Sequence, residues 1–399
     1  MPTPSLLIVP ARFKTGKLYS QIPTSGAGDF TVTRNTEARR FDSAGLVASV
    51  ASGIPRLDYY TSGGVTGCPA LLVEPAATNL VLRSEEFNVS GTWARVSGGT
   101  GLLPVITANA VIAPDGTTTA DTVVFNRGSA TSGSTNSSQL EQSVNFPTSG
   151  TYTFGVYAKA TTSGDVGKQF YIRTRNTLVS GSLTSSWVRY TSTETGLSSG
   201  VNTVFIGNRG GFTADQSVSV DLWGAQLETG SVATSYIPTT TGTGSRSADV
   251  ISVSGAVSGS IGQTEGVLYI ECESNNGEDD VFNINRSVAN AITIYKNANN
   301  SYLGRIYHSS TSIIFTSASG VTGTVKIAVA YKSGDSTMYL NGSRVGTLNT
   351  TAITFGAALN YLGVDKSSAF FSGIKPSRIR AVALYNTRLT DDELAALTA

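Results

Sequence analysis

Asp221-Leu-Trp-Gly-Ala-Gln-Leu-Glu-Thr-Gly-Ser-Val-Ala-Thr-Ser-Tyr-Ile-Pro-Thr239 continues an alternation begun at Val218 and Val220, with Leu222 next on the same side. A period of two marks a half-buried β-strand. Thr239-Thr-Thr-Gly-Thr-Gly-Ser245 then follows without a large apolar residue, a composition suited to a connection between domains. The stretch therefore closes one β-module and precedes another.

Working upstream, Tyr152, Phe154, Val156 and Ala158 alternate with polar or small residues, and Gly, Ser and Asn clusters break the chain into short runs. Residues 82–239 are accordingly expected to form a sandwich of jelly-roll type. Residues 240–246 are expected to be a linker. Downstream, Ile327, Val329 and Tyr331, then Ile379, Ala381, Ala383 and Tyr385, resume the period, so 247–399 reads as a second sandwich. Asn341-Gly342 predicts a tight hairpin, because both residues tolerate positive φ. Thr390 and Glu393 form a capping-box pattern ahead of Leu394 and Leu397, which predicts one short C-terminal helix. Residues 1–81, broken by Ser25-Gly26, Ser52-Gly53, Ser62-Gly63-Gly64 and several prolines, read as an extended anchoring or docking segment with few strands. The expected fold is all-β.

Charged residues make up 14% of the 399, against roughly a quarter in an ordinary globular chain. The net charge is +1 and basic residues are not clustered, so a nucleic-acid partner is not expected. The apolar run Leu6 to Val9 lacks a basic region before it, so neither a signal peptide nor a membrane span is expected. Cys68 and Cys272 fall in different predicted regions and support no disulfide framework. No heptad pattern occurs, so any trimer would form without a coiled coil.

Three groups of motifs carry a resemblance. Arg56-Leu-Asp-Tyr-Tyr60, Gly67-Cys-Pro-Ala-Leu-Leu-Val-Glu-Pro75, Thr78-Asn-Leu80 and Glu85-Glu-Phe87 with Trp93 are similar to a series in bacteriophage tail and virion proteins. Trp187-Val-Arg-Tyr190 and Asp221 to Glu228 resemble the later strands of carbohydrate-binding-module-like jelly rolls. Lys326 to Leu348, Arg378 to Asn386 and Leu389 to Leu394 resemble the end of a concanavalin A or laminin-G-like lectin sandwich. The resemblance implies a virion component, made in the host cytoplasm, with lectin-like domains. Its implied partners are other virion proteins through residues 1–81, itself as a homo-oligomer such as a trimer, and host-surface glycan. Such folds carry many functions, so the site must decide.

His308 is the only histidine, which excludes a multi-histidine zinc site and leaves any catalytic triad dependent on it. No nucleophile motif accompanies it. Tyr302, Arg305, Tyr307 and His308 together form the candidate glycan-binding cluster, a polar and aromatic set that would equally suit a subunit contact. Glu271 and Glu273 share a strand face at about 7 Å, near the carboxylate spacing of inverting glycosidases. The run Glu271 to Glu278 nevertheless lacks the aspartate of concanavalin-A-like glycosidases, so a solvent-facing edge is favoured.

Asn275, Glu278, Asp279 and Asp280 concentrate oxygen ligands that would suit calcium, without EF-hand spacing; a solvated Asn-Gly turn is the ordinary reading. No other cofactor is expected, and Gly207 to Gly211 reads as a turn, not as a phosphate loop. Trp93, Trp187 and Trp223 are expected in the core. The chain is thus expected to be a non-enzymatic tail fibre or similar appendage contacting glycan. Alternatives are a capsid-decorating or head-fibre protein of structural role and a polysaccharide depolymerase.

Overall fold

The computed structural model of the protein describes the backbone except at residues 1, 63–64, 130–134, 212, 275–278, 288–289 and 365–376. Side chains are described except at these and at 61–62, 65–66, 274, 279–281 and 286–287. Strands dominate, with one α-helix among the described residues. The chain forms two compact units. Unit 1 comprises Met1–Gly45, Ser49–Ala76 and Ser247–Ala399, and unit 2 comprises Leu46–Ala48 and Ala77–Arg246.

Unit 2 is a sandwich of two five-stranded antiparallel sheets. The first runs Ala94–Gly98, Ser137–Phe146, Gly200–Arg209, Gln169–Thr174, Thr177–Ser182 in spatial order, and the second Val105–Val111, Ala120–Asn126, Ser217–Thr229, Gly150–Ala160, Val188–Leu197. The alternating residues read from the sequence face inward: Phe154, Val156, Val220 and Leu222 meet Leu140, Ile172 and Ile206 across the core. Burial of each such side chain contributes about 1.5–3 kcal/mol.

The unit does not stop at Thr239. Gly244–Arg246 pairs with Ala77–Asn79, Thr78 Oγ1 lies 2.9 Å from Ser245 Oγ, and Arg246 is buried with Nη1 donating to Thr234 Oγ1 and Ser235 Oγ at 3.1 Å each. The segment expected as a linker is therefore partly a strand. Its Thr and Gly content hid the pairing, because a three-residue strand shows no alternation.

Residues 1–76 depart most from the sequence expectation of an extended segment. Leu6–Ile8 and Ala70–Val73 both pair with Ser377–Tyr385, Leu57–Asp58 adds to Ala70–Val73, and Phe30–Thr33 pairs with Val250–Ser254. Both sheets of unit 1 thus contain strands from each end of the chain. One sheet is eight-stranded and centres on Val325–Lys332, Glu265–Ser274 and Ser377–Tyr385. The other is nine-stranded and ends in Asp279–Ser287, Asn290–Lys296, Tyr302–His308 and Thr311–Thr316. Leu6, Ile8, Phe30, Val32, Leu71 and Val73 join Ile270, Ile292, Ile306 and Ile327 in one core. These apolar side chains cannot remain in water at low cost, so the segment folds into the sandwich.

A buried ion network accompanies this packing. Asp249 receives Arg34 Nη1 at 3.1 Å and Arg56 Nη2, while Arg56 Nη1 also reaches Glu74 at 2.6 Å. Burial alone would push the Arg56 pKa down, but Asp249 and Glu74 reverse this and hold it above its ordinary value.

The hairpin has positive φ at Asn341 (47°) and Gly342 (80°), as expected of a type I′ turn. The helix Asp391–Thr398 carries its capping box, with Glu393 N donating to Thr390 Oγ1 at 3.3 Å and Thr390 N donating to Glu393 Oε2 at 2.8 Å. Leu394 packs with Tyr269, Ala328, Ala330 and Tyr385 on the outer side of the eight-stranded sheet. No helix among the described residues is long and apolar enough to cross a membrane.

Candidate functional site

The strand Tyr302–His308 does not bring its four candidates onto one face. Tyr302 is fully buried in the core with Ile306, and His308, at an even spacing from both, is on the same side and 7% exposed. Arg305 and Tyr307 project from the opposite face. There the Arg305 guanidinium lies 5.0 Å from the Tyr307 ring centroid, and Nη1 donates to the Tyr307 hydroxyl at 2.7 Å. Tyr302 and His308 are therefore core-side residues, and only Arg305 and Tyr307 of the candidate cluster share the outer face.

Cross-strand register supplies what the sequence reading missed. Arg305 stands opposite Thr293, and Thr293 stands opposite Asn283. Both neighbours lie on the face away from the core, because Phe282, Ile284, Ile292 and Ile294 face inward. Asn283 and Thr293 are only 6% and 2% exposed. Asn283 Oδ1, Thr293 Oγ1 and Arg305 Nε are buried and have no partner among the described residues. Each such group costs about 1–3 kcal/mol when unpaired, so a row of three is unusual for a purely structural face. One cationic donor, one hydroxyl and one amide acceptor in a line can satisfy a polyhydroxylated ligand. Alternation in Phe282-Asn-Ile284 and Ile292-Thr-Ile294 marks Asn283 and Thr293 as outward; only the register joins them to Arg305.

Of the calcium candidates, Asn275 and Glu278 lie outside the described residues, and so do the side chains of Asp279 and Asp280, whose backbones begin the strand Asp279–Ser287. Among the described residues no group of three or more His, Cys, Asp or Glu could hold a metal ion.

Glu271 and Glu273 do share the outer face of Glu265–Ser274. Their strand neighbours are basic: Glu271 is opposite Lys326, and Glu273 is opposite Arg378. Arg380 donates to the Tyr60 hydroxyl at 2.8 and 3.1 Å, which with the two glutamates holds its pKa above the ordinary value. Arg378 lies 4.4 Å over the Tyr60 ring. The carboxylates thus stand in a charge-compensated network.

Trp93 and Trp223 are core residues, with indole N–H groups donating to Arg83 O and Thr119 Oγ1 at 3.1 Å each. Trp187 differs from expectation. It is half-buried, donates to Ile112 O at 3.2 Å, and has Lys159 Nζ at 5.1 Å from its ring centroid. Its strand begins only at Val188, so the indole precedes the packed part of the sheet.

Unit 2 also has a pocket of about 340 Å³ lined by Glu85, Glu86, Asn109, Thr119 and Asp121 among others. Its acids have internal partners: Glu85 with Tyr236, Glu86 with Arg83, and Asp121 with the backbone N–H groups of Phe87 and Asn109. Burial pushes the Glu85 and Asp121 carboxyls up, as it does for the fully buried Glu228. A carboxyl raised on folding binds more protons in the native state, so its contribution is complete below the unfolded pKa and is lost as pH rises through the folded one. The thermal midpoint of unit 2 is therefore expected to rise as pH falls from 7 toward 5. All three tryptophans lie in unit 2, so indole fluorescence follows it selectively. Glu228→Gln should flatten the slope, and a midpoint that falls throughout this range would contradict the assignment.

With fold and face established, unit 1 is similar to concanavalin A-like β-sandwiches. Residues 256–395 match the model of the Concanavalin A-like lectin/glucanases superfamily. No curated protein matches the chain. Among solved structures, similarity extends to a leech intramolecular trans-sialidase, at 16% identity over 34% of this chain and 23% of that one, with a TM-score of 0.30. It extends also to botulinum neurotoxin type C, whose cell entry depends on two ganglioside molecules, at 10% identity over 38% and 39% with a TM-score of 0.31. The binding domain of Paraclostridial Mosquitocidal Protein 1 is similar at 10% identity over 38% and 43%, with a TM-score of 0.30. The matched part thus spans less than half of each of these structures.

Proposed function

We propose that unit 1 binds a glycan on the outer face of its nine-stranded sheet, along Asn283, Thr293, Arg305 and Tyr307. The observation that carries this is the row of three buried polar atoms, without partners among the described residues, beside a tyrosine. The lectin/glucanase match over residues 256–395 is consistent with such a ligand. Weak single contacts would be multiplied by oligomeric display.

The chain is read further as a non-enzymatic component of a bacteriophage virion, a tail fibre or similar appendage contacting the host surface. Support for this comes from the motif series from Arg56 to Trp93. The basic neighbours Lys326, Arg378 and Arg380 around Glu271 and Glu273 favour this reading over a depolymerase.

On a glycan array, Arg305→Gln should weaken the strongest signal about 10- to 100-fold, the effect of removing a charged hydrogen-bond donor. Arg305 is partly exposed, which makes the change tolerable for folding. Unchanged binding by a folded Arg305→Gln chain, or a blank array for the parent chain, would move the function toward the structural role. Electron microscopy of the particle would then test capsid decoration against tail attachment.

A further inference from the structure

The first sheet of unit 2 has a polar and aromatic outer face that the proposal for unit 1 does not use. Leu140, Ile172 and Ile206 point into the core, so Gln139, Glu141, Tyr171, Arg173 and Phe205 point outward. Register aligns them in two rows across three strands. Gln139, Gly207 and Tyr171 form one, and Glu141, Phe205 and Arg173 the other. Gly207, read from the sequence as part of a turn, lies within the strand Gly200–Arg209. A Cβ there would come within 2.6 Å of Gln139 Cβ and 2.5 Å of Ser138 O, so the middle of the first row must remain without a side chain.

The hydrogen bonds on this face have a direction. The Tyr171 hydroxyl donates to Gln139 Oε1, and Gln139 Nε2 donates to Glu141 Oε1. Tyr171 is fully buried and Gln139 is 8% exposed, so this relay is held rigidly and ends on a half-buried carboxylate. On the other side, the Arg173 guanidinium lies 3.6 Å from the Phe205 ring centroid. Its Nε is buried and has no partner among the described residues. Burial and the nearby charge of Arg209 push the Arg173 pKa down, so an added negative charge would be favourable there.

We propose that this face is a second binding site, for an acidic saccharide whose carboxylate or sulfate is taken by Arg173 and whose hydroxyls are accepted by Glu141. The stack on Phe205 fixes the guanidinium plane, and a planar, pre-oriented guanidinium is the group best suited to an oxyanion. Glu141 and Arg173 stand on strands two spacings apart, about 10 Å between their backbones, on either side of Phe205. A neutral sugar would add nothing to the partial compensation that Tyr171, Glu141 and Glu194 already give Arg173, whose pKa burial and Arg209 still hold down. The site is independent of the reading of unit 1.

Isothermal titration of the full chain can use oligosaccharides bearing uronate, sialyl or sulfate groups, each beside its neutral counterpart. At least one acidic member should bind at least 10-fold more tightly than its neutral partner, and 0.5 M NaCl should weaken it. Arg173→Gln should reduce that affinity at least 10-fold, while Arg305→Gln in unit 1 leaves it unchanged. An unchanged indole-fluorescence melt would show that Arg173→Gln is folded; Glu141→Gln, expected to weaken hydroxyl recognition several-fold, provides a second variant. Equal affinity for acidic and neutral members, loss with Arg305→Gln instead, no effect of Arg173→Gln, or no binding across the set would each overturn the proposal.

Discussion

Replacing Asp249 by alanine is expected to remove about 3–5 kcal/mol of stability from unit 1, a large part of what a domain of this kind possesses. Both oxygens of Asp249 are committed: Oδ1 receives Arg34 Nη1 at 3.1 Å, and Oδ2 receives Arg56 Nη2 and the Glu74 backbone N–H at 2.9 Å. Arg34 and Arg56 are 2% and 0% exposed. With Asp249 gone, Arg56 keeps Glu74, and Arg34 keeps carbonyl acceptors such as Ile54 O and Ala51 O. Carbonyl groups solvate a guanidinium without neutralising it, so losing the Asp249 carboxylate leaves two buried guanidiniums with less counter-charge. Asp249→Asn retains the shape and should recover little of the loss. Denaturation of unit 1 should be read by far-ultraviolet circular dichroism, with indole fluorescence marking unit 2 separately. A parent-like midpoint for Asp249→Ala in the dichroism signal would refute the role assigned to this network.

The network also explains what the sequence disclosed and what it withheld. Alternation over Gly150–Ala160, Ser217–Thr229 and Val325–Lys332 spans enough residues to establish both sandwiches and their inward faces. Leu6–Ile8 and Leu57–Asp58 are too short to show any period, and Leu6 pairs with Leu384 at the far end of the chain. Residues 1–76 therefore looked extended. Arg56 and Glu74 stood within recognisable motifs, yet Asp249, 193 residues from Arg56, did not identify itself as their partner. The candidate site follows the same logic. Period two in 302–308 was already sufficient to separate Tyr302 and His308 from Arg305 and Tyr307. The contribution of Asn283 and Thr293 depended on register, which no local pattern contains.

In unit 2 the largest effect is expected from Asn79→Ala, a loss of about 3–5 kcal/mol. Fully buried Asn79 donates through Nδ2 to Ala225 O at 3.0 Å and Ile237 O at 2.8 Å. Its Oδ1 accepts from Val81 N at 3.1 Å and Leu227 N at 3.0 Å. One amide thus satisfies four backbone groups from three segments, and alanine would leave all four without it. At about 1–3 kcal/mol for each buried unpaired group, partial relaxation still leaves a loss in the expected range. Asn79→Asp separates hydrogen bonding from packing: it keeps the volume and both acceptor contacts but sets a carboxylate against two carbonyl oxygens. It should therefore be nearly as damaging as alanine, and near-parent stability for either variant would refute the lock.

The same stretch has further ties, since Ile237 N donates to Gln226 Oε1 at 2.7 Å and Thr234 Oγ1 donates to Glu228 Oε2 at 2.7 Å. Trp223 packs at 4.4 Å from the Tyr236 ring. Release of 225–237 should thus expose this indole, and Asn79→Ala should bring the red shift in fluorescence to a lower denaturant concentration. Because Asn79, Gln226 and Glu228 are spent on holding their own backbone, the residues that make this stretch recognisable build the fold.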